Sequence, residues 1–234
     1  LAYAGCSNDV YCTGDLLDTI QMAGIFPDSK SFVDRPMKYP RSRIWDLYRV
    51  EKLKPQPDWK QFVLDNFHEP GYEVAAVEPH DWTPHPDFID SVPNFASLRQ
   101  FSLFVHTKWK DLVRTFNFSK VCPGCSSAIQ VPNPFVVAGG RFIEYYYWDT
   151  YWIVEGLLVS RMYQTAKGVI LNFMDLVDRY GFIPNGGRIY YLNRSQPPLL
   201  AHMVWTYYTH VQVDKDFLAR ALPRLEAEYD YFMS

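Results

Sequence analysis

The stretch from residue 139 to residue 152, here called the signature segment, constrains the chain more than any other. It reads Gly-Gly-Arg-Phe-Ile-Glu-Tyr-Tyr-Tyr-Trp-Asp-Thr-Tyr-Trp, so charged groups stand among seven aromatic rings. A core helix has no packing reason to include Arg141, Glu144 and Asp149, because a buried charge is costly unless it is paired. Aromatic faces beside such groups suit a sugar, whose C–H faces stack and whose hydroxyls need donors and acceptors. The alternative is an amphipathic helix start with surface charges.

A second dense stretch, here called the polar loop, covers residues 181–198 and ends in Pro-Pro before an apolar helical pattern. Arginine supplies several fixed donors, and Asn and Gln side chains both donate and accept, as recognition of hydroxyls requires. The alternative for each polar residue is a solvated loop position. The polar loop carries Asn185, Arg188, Asn193, Arg194, Ser195 and Gln196.

Both stretches resemble the trehalase family, the glycosidases that split α,α-trehalose into two glucoses. The signature segment is similar to the family pattern Pro-Gly-Gly-Arg-Phe-x-Glu-x-Tyr-x-Trp-Asp-x-Tyr, except that Ala138 replaces the proline. That change bears on the stiffness of the turn more than on chemistry. The polar loop matches Pro-Asn-Gly-x-Arg followed by Arg-Ser-Gln-Pro-Pro.

The resemblance implies trehalose as the substrate and an inverting hydrolysis by a carboxylic acid and a carboxylate about 6.5–9.5 Å apart. The family's general acid lies in an Ala-Glu-Ser-Gly-Trp-Asp motif, and its general base lies beyond a Gln-Trp-Asp-x-Pro signature. Neither motif occurs here, and the Arg-Pro-Arg-Pro-Glu substrate segment is also missing. The residues that match substrate-contacting positions of the family are Arg141, Trp148, Asp149, Asn185, Arg194, Ser195 and Gln196.

We therefore expect the chain to be the N-terminal portion of a trehalase that binds substrate but supplies no catalytic residue. By itself it is expected to be inactive, and unstable if half a barrel leaves inward helix faces exposed. A non-catalytic carbohydrate-binding or inhibitory helical module derived from a trehalase is the alternative. An unrelated helical-toroid glycosidase is a third reading, which the match of both motifs weakens.

Other residues are weaker candidates for catalysis. Glu144 lies inside the signature segment and Glu155 lies shortly after it, but the acid and base of the family come from elsewhere. Ser195 and His202 are separated by seven positions without a nucleophile elbow, which argues against a hydrolytic triad. We expect His202 to be a core or rim residue of its helix.

The net charge and the hydropathy of the chain exclude several classes of function. A net charge of -3 and a pI near 6.1 argue against a nucleic-acid partner. No run of about 18 apolar residues is present, so membrane anchoring is expected only through missing C-terminal sequence. Nothing in the sequence calls for a metal or an organic cofactor.

Four cysteines stand in two close pairs, Cys6 with Cys12 and Cys122 with Cys125. The second pair has zinc-knuckle spacing, but no histidine cluster lies near, so disulfides are favoured and their connectivity stays open. The sequon at Asn117 fits a secreted glycoprotein, located outside the cell or on the outer face of the plasma membrane.

The apolar spacing predicts an all-α chain, and the resemblance specifies an (α/α)6 toroid of helix hairpins, of which this chain covers roughly the first half. We treat residues 1–234 as part of one catalytic domain, with N-terminal helices and a wrapping loop at 1–92 and the hairpins with the sugar-binding loops at 93–234. No strand is predicted, and residues 28–34 and 68–93 are expected to be irregular. Helices are predicted at 15–23, 41–53, after Asp58, and at 93–116, 149–163, 166–180, 197–209, 214–222 and 223–232.

The segment 93–116 has the clearest helical stripe of apolar residues, which we assign to the core. The stripe consists of Phe95, Leu98, Phe101, Val105, Trp109, Leu112 and Phe116.

Overall fold

The structure is a computed structural model that describes residues 5–211 and 214–234. The described part is mostly helical, which confirms the predicted class. Its α-helices are α1 Asp15–Met22, α2 Lys30–Val33, α3 Arg41–Lys52, α4 Trp59–Asn66, α5 Ala96–Leu112, α6 Asp149–Val159, α7 Tyr163–Tyr180, α8 Leu200–Val211 and α9 Lys215–Met233. Short 3-10 helices lie at Asp87–Ser91, Phe118–Lys120 and Ile189–Tyr191.

Two helix ends lie where the sequence predicts them. The Asp58 side chain accepts a hydrogen bond from the backbone N–H of Gln61 at 2.9 Å, which caps the start of α4. Gly181 ends α7 with a φ of 79°, a left-handed conformation that costs glycine nothing.

The prediction of a helix break at Pro223 is wrong. The helix α9 runs continuously from Lys215 to Met233 with the proline inside it. Proline removes one backbone donor and normally kinks a helix. Here buried residues stand on both sides of it, Phe217 and Ala221 before and Glu228 after, so one packed face spans the position.

A small antiparallel sheet also contradicts the prediction of no strands. Its strands are β1 Val74–Ala76, β2 Val113–Phe116 and β3 Phe135–Val136, in the order β1-β2-β3. Val74 pairs with Phe116, and Arg114 pairs with Phe135. The strand β2 follows α5 without a linker, and its Phe116 continues the helical spacing, which conceals the change of structure. The predicted loop at 68–93 contains β1 and one 3-10 helix.

The apolar stripe of α5 does not form core along most of its length, so that prediction is also wrong. Phe95 is 68% exposed and Phe101 is 62% exposed, and Leu98 and Val105 are exposed as well. Trp109, Leu112 and Phe116 alone of the seven pack against the core, each partly buried. Helical periodicity identifies an apolar face, but it does not establish that another element covers that face.

Buried side chains form two clusters. One draws on residues 10–67 together with Cys125, and the other on residues 113–221, where α6 to α9 pack against one another. Ile189 lies against both. The boundary at residue 92 and the toroid remain predictions. In the described ranges, none of the helices is both long enough and apolar enough to cross a membrane.

All four cysteines are disulfide-bonded, Cys6 with Cys12 and Cys122 with Cys125, which confirms the predicted disulfides and settles the open connectivity. The four sulfur atoms are therefore not available as thiolate ligands for zinc. Across residues 5–211 and 214–234, no cluster of three or more His, Cys, Asp or Glu side chains is placed to hold a metal ion.

Candidate functional site

The signature segment and the polar loop lie side by side. Tyr146 and Gly186 form an antiparallel bridge. The N–H of Tyr147 donates to the carbonyl oxygen of Asn185 at 3.2 Å, and the N–H of Gly187 donates to the carbonyl oxygen of Tyr145 at 2.9 Å. Backbone pairing therefore joins the two motifs, which stand about forty positions apart in the sequence.

The glycines of the polar loop permit this close approach. A Cβ atom on Gly187 would lie 2.8 Å from Cε1 of Tyr145, and one on Gly186 would lie 3.0 Å from the carbonyl oxygen of the same tyrosine. Both distances are shorter than ordinary contacts between carbon atoms or between carbon and oxygen. The Gly-Gly pair is therefore required by packing against the signature segment.

Gln196 connects the side-chain groups of the two motifs. Its Oε1 accepts a hydrogen bond from the backbone N–H of Trp148 at 3.0 Å, and its Nε2 donates to Oδ2 of Asp149 at 3.4 Å. Asp149 is the first residue of α6, where the helix dipole favours a carboxylate. Trp148 is 45% exposed, so its flat ring is accessible beside these polar groups.

Asn185, Arg194 and Ser195 lie in the adjoining part of the polar loop. The N–H of Asn185 donates to the carbonyl oxygen of Arg194 at 2.9 Å, and Oγ of Ser195 donates to the carbonyl oxygen of Ile183 at 2.7 Å. The exposed guanidinium of Arg194 rests over the ring of Tyr191, 4.8 Å from its centre. The structure thus brings six of the seven predicted residues together.

Arg141 is the seventh, and it pairs with a different part of the chain. Its Nη1 and Nη2 donate to the two carboxylate oxygens of Asp28 at 2.9 and 3.1 Å. Its guanidinium carbon also lies 5.5 Å from the ring centre of Phe142. Both residues of the ion pair line a surface pocket next to Lys30 and Asp34.

A buried charge network lies beneath these residues and is centred on Arg188, which is completely buried. Its Nη1 lies 2.8 Å from a carboxylate oxygen of Glu73, and its Nε lies 3.6 Å from Asp34 and 3.5 Å from Glu144. Burial disfavours the charged form, but the three carboxylates, Glu144 foremost, outweigh burial and raise the pKa of Arg188 above its ordinary value.

Lys30 is the second cation of the network. Its Nζ donates to Glu144, to Asp34 and, at 3.1 Å, to the hydroxyl of Tyr190. Burial, followed by the neighbouring carboxylates, raises the pKa of Tyr190, so that its hydroxyl stays a neutral donor to Asp34. Glu144 is buried and paired with two cations, which explains its place among the aromatic rings by structure.

The sequence reasoning missed the contribution of residues 28–34. That segment contains the helix α2 with Phe32 and Val33 buried, so the prediction of an irregular stretch is wrong. A signal was available, because Lys30 and Asp34 have the i,i+4 spacing of a helical ion pair. Their partners in the signature segment and the polar loop lie more than a hundred positions away and leave no local pattern.

The serine–histidine pair does not form a triad. Oγ of Ser195 donates to a backbone carbonyl, and His202 is exposed with its ring edge-on to Tyr151 at 6.2 Å. His202 therefore occupies a rim position. Glu155 accepts a hydrogen bond from the hydroxyl of Thr206 at 3.1 Å.

Most of the chain matches one known protein family. The family model described as Trehalase matches residues 24–234. The chain belongs to the trehalase family. The trehalase of Dictyostelium discoideum is 47% identical over 238 residues, a match covering 98% of this chain and 40% of that protein. The trehalase of Apis mellifera is 45% identical over 235 residues, covering 98% of this chain and 37% of that protein.

Among solved structures, the neutral trehalase Nth1 from Saccharomyces cerevisiae is 37% identical, and the match covers 42% of this chain and 18% of that one with a TM-score of 0.40. The chain of this trehalase-family member thus spans well under half the length of these relatives. Within that span it holds both motifs and the contacts between them.

Proposed function

We propose that this chain supplies a substrate-binding wall of a trehalase, which hydrolyses α,α-trehalose to two glucose molecules. The observation that carries the proposal is the pair of bonds made by Gln196, which joins the backbone of Trp148 and the carboxylate of Asp149 in one surface. Family membership and the similarity to the trehalases of Dictyostelium discoideum and Apis mellifera support trehalose as the substrate. We further propose that α6 to α9 are two hairpins of an (α/α)6 toroid.

In this proposal each side chain has a role suited to a disaccharide. The open face of Trp148 stacks on the C–H face of a glucose ring. Arg194 donates to hydroxyl oxygens, and Asp149 accepts from hydroxyl groups. Asn185 and Gln196 can do both, which suits hydroxyls that donate and accept.

The proposed chemistry is acid–base hydrolysis with inversion. One carboxylic acid protonates the glycosidic oxygen, while a carboxylate takes a proton from a water molecule that attacks the anomeric carbon from the opposite face. The motifs that carry these groups in the family do not occur in this chain, so we assign both groups to the remainder of a trehalase. The chain alone is therefore proposed to be inactive.

The test uses the complete product of the gene that encodes this chain. We expect it to release glucose from trehalose, and to release far less from maltose or sucrose at equal concentration, because trehalose is the substrate that family membership supports. Residues 1–234 expressed alone are expected to release none. Glucose release by the segment alone would contradict the assignment of the catalytic groups. Trehalose binding without hydrolysis by the complete product would support a non-catalytic module instead.

We also propose that the protein is secreted or displayed outside the cell and carries a glycan on Asn117. Two disulfides and the position of Asn117 in the turn before a 3-10 helix support this. Asn193 is proposed to be unmodified, because a glycan there would cover Arg194 and Ser195. Peptide mapping of the protein from its native source, before and after removal of N-glycans, tests both positions. A glycan on Asn193, or none on Asn117, would contradict the proposal.

A further inference from the structure

The carboxylate of Asp28 fixes the plane of the Arg141 guanidinium. The two groups are joined by two parallel hydrogen bonds of 2.9 and 3.1 Å, the fork geometry in which arginine meets carboxylates most specifically. An arginine has five N–H donors, and this pair occupies two of them. Donors on the remaining edges stay available, and the Arg141 side chain is 55% exposed.

Asp28 is itself held in place. Its Oδ1 accepts from the backbone N–H of Ser31 at 3.1 Å, and its Oδ2 accepts from the hydroxyl of the same serine at 3.2 Å. The carboxylate is therefore attached to the start of α2 by two bonds and to Arg141 by two more. A carboxylate restrained in this way orients its partner more precisely than a freely rotating surface side chain does.

The segment that carries Asp28 is anchored beneath the signature segment. Two residues further on, Lys30 donates to Glu144, which lies three positions after Arg141. Asp34, at the end of α2, accepts from Tyr190 at 2.6 Å. Lys30 and Asp34 both contact Tyr190 of the polar loop as well, so residues 28–34 are bonded to both motifs and Asp28 has a fixed position relative to them.

We propose that Asp28 is a positioning residue that holds Arg141 in the orientation in which it binds a glucosyl hydroxyl. The inference rests on the proposed function, because it requires that Arg141 contact the substrate. An unrestrained arginine loses rotamer freedom when it binds a ligand. The ion pair with Asp28 already restricts the rotamers of Arg141 in the free protein. Substrate binding therefore does not carry this entropic cost.

The experiment measures KM and kcat for trehalose in the complete protein. The variants are Asp28→Asn, Arg141→Ala and the double variant. Asparagine keeps the shape of Asp28 and an oxygen for Ser31, but it loses the charge and one acceptor. The matched control is Asp178→Asn, since Asp178 makes a comparable surface fork with Arg224, at 2.8–3.2 Å, on another pair of helices.

We expect Asp28→Asn to raise KM about fivefold and to leave kcat and the melting temperature unchanged. A change of about fivefold is the upper end of what a half-exposed ion pair contributes. In the Arg141→Ala background the same change is expected to have no further effect, because residues that act through one another are not additive. The control Asp178→Asn should leave KM unchanged.

Two results would overturn the inference. One is a KM that rises in Arg141→Ala but not in Asp28→Asn. The other is a KM that falls in Asp28→Asn, which would make the pair a competitor of substrate. A wild-type protein that hydrolyses no trehalose would instead reject the proposed function itself.

Discussion

The hydroxyl of Tyr147 donates a hydrogen bond to the buried carboxyl of Glu228. On its other side it accepts from the backbone N–H groups of Leu199 and Leu200, each at 2.9 Å. One phenol therefore joins the signature segment to the start of α8 and to the C-terminal half of α9. The bonded N–H groups come three and four positions after Gln196, so the same contact fixes the end of the polar loop.

We expect the stability of the protein to fall as the pH rises, because of the buried carboxyl of Glu228. Burial raises its pKa from 4.5 to about 7, although the bond from Tyr147 works in the opposite direction. Since the folded-state pKa lies above the unfolded one, Glu228 contributes stability in full below its unfolded pKa. That contribution, up to about 3 kcal/mol, is lost as the pH rises through the folded pKa.

Urea unfolding of the wild type and of Glu228→Gln, compared at about pH 5 and about pH 8, measures this contribution. We expect the free energy of unfolding of the wild type to fall more between the two conditions than that of the variant. Equal pH dependence in both proteins would show that Glu228 does not titrate in this range.

Tyr147→Phe should destabilise the protein by about 1–3 kcal/mol, because the N–H groups of Leu199 and Leu200 and the buried carboxyl lose their common partner. The control is Tyr229→Phe, since Tyr229 lies next to Glu228 on α9 and is 64% exposed. Denaturant unfolding is the measurement. A Tyr147→Phe protein as stable as the control variant would contradict the role of the hydroxyl.

Arg188→Met should cost about 3–5 kcal/mol of folding free energy, since it leaves three carboxylates buried with one cation fewer. Arg224→Met removes a surface ion pair instead and should cost less than about 1 kcal/mol. The two variants are compared by denaturant unfolding at neutral pH. Similar losses of unfolding free energy in both variants would show that the buried ion pairs of Arg188 contribute no more than the surface pair of Arg224.

Gly187→Ala should cost about 1–3 kcal/mol through collision with the ring of Tyr145. The ring has little room to move, because it is buried and its hydroxyl donates to the carbonyl oxygen of Ile129 at 3.1 Å. Gly5→Ala is the control, since an added Cβ there meets nothing within 4 Å. Calorimetric melting temperatures compare the two, and a Gly187→Ala variant that melts like the control would refute the packing argument.

The parts of the fold that the sequence predicts correctly depend on local signals. The cap at Asp58, the left-handed Gly181 and the period of α7 each lie within a few residues of the feature they specify. The two motifs carry many fixed positions, and their resemblance to one family is confirmed by the family match.

The parts that it predicts wrongly depend on distant contacts. Lys30 pairs locally with Asp34, but its bond to Glu144 spans 114 positions and leaves no local pattern. The sheet requires β1 to meet β2 across α5, and the exposure of Phe101 depends on which element covers that helix. Likewise, Pro223 is accommodated because one buried face continues on both sides of it.

We expect the polar loop and the signature segment to bind trehalose together, and a variant of Arg194 tests this. Its exposed guanidinium stacks on Tyr191, and no other side-chain bond of Arg194 is found among the described residues. The measurement is kcat/KM for trehalose in the complete protein, for Arg194→Ala beside Arg224→Ala. In Arg194→Ala we expect kcat/KM to fall by a factor on the order of a hundred and the melting temperature to stay unchanged. A loss of this size corresponds to about two charge-assisted hydrogen bonds to the substrate. An Arg194→Ala protein with the kcat/KM of the wild type would show that the polar loop does not bind trehalose through Arg194.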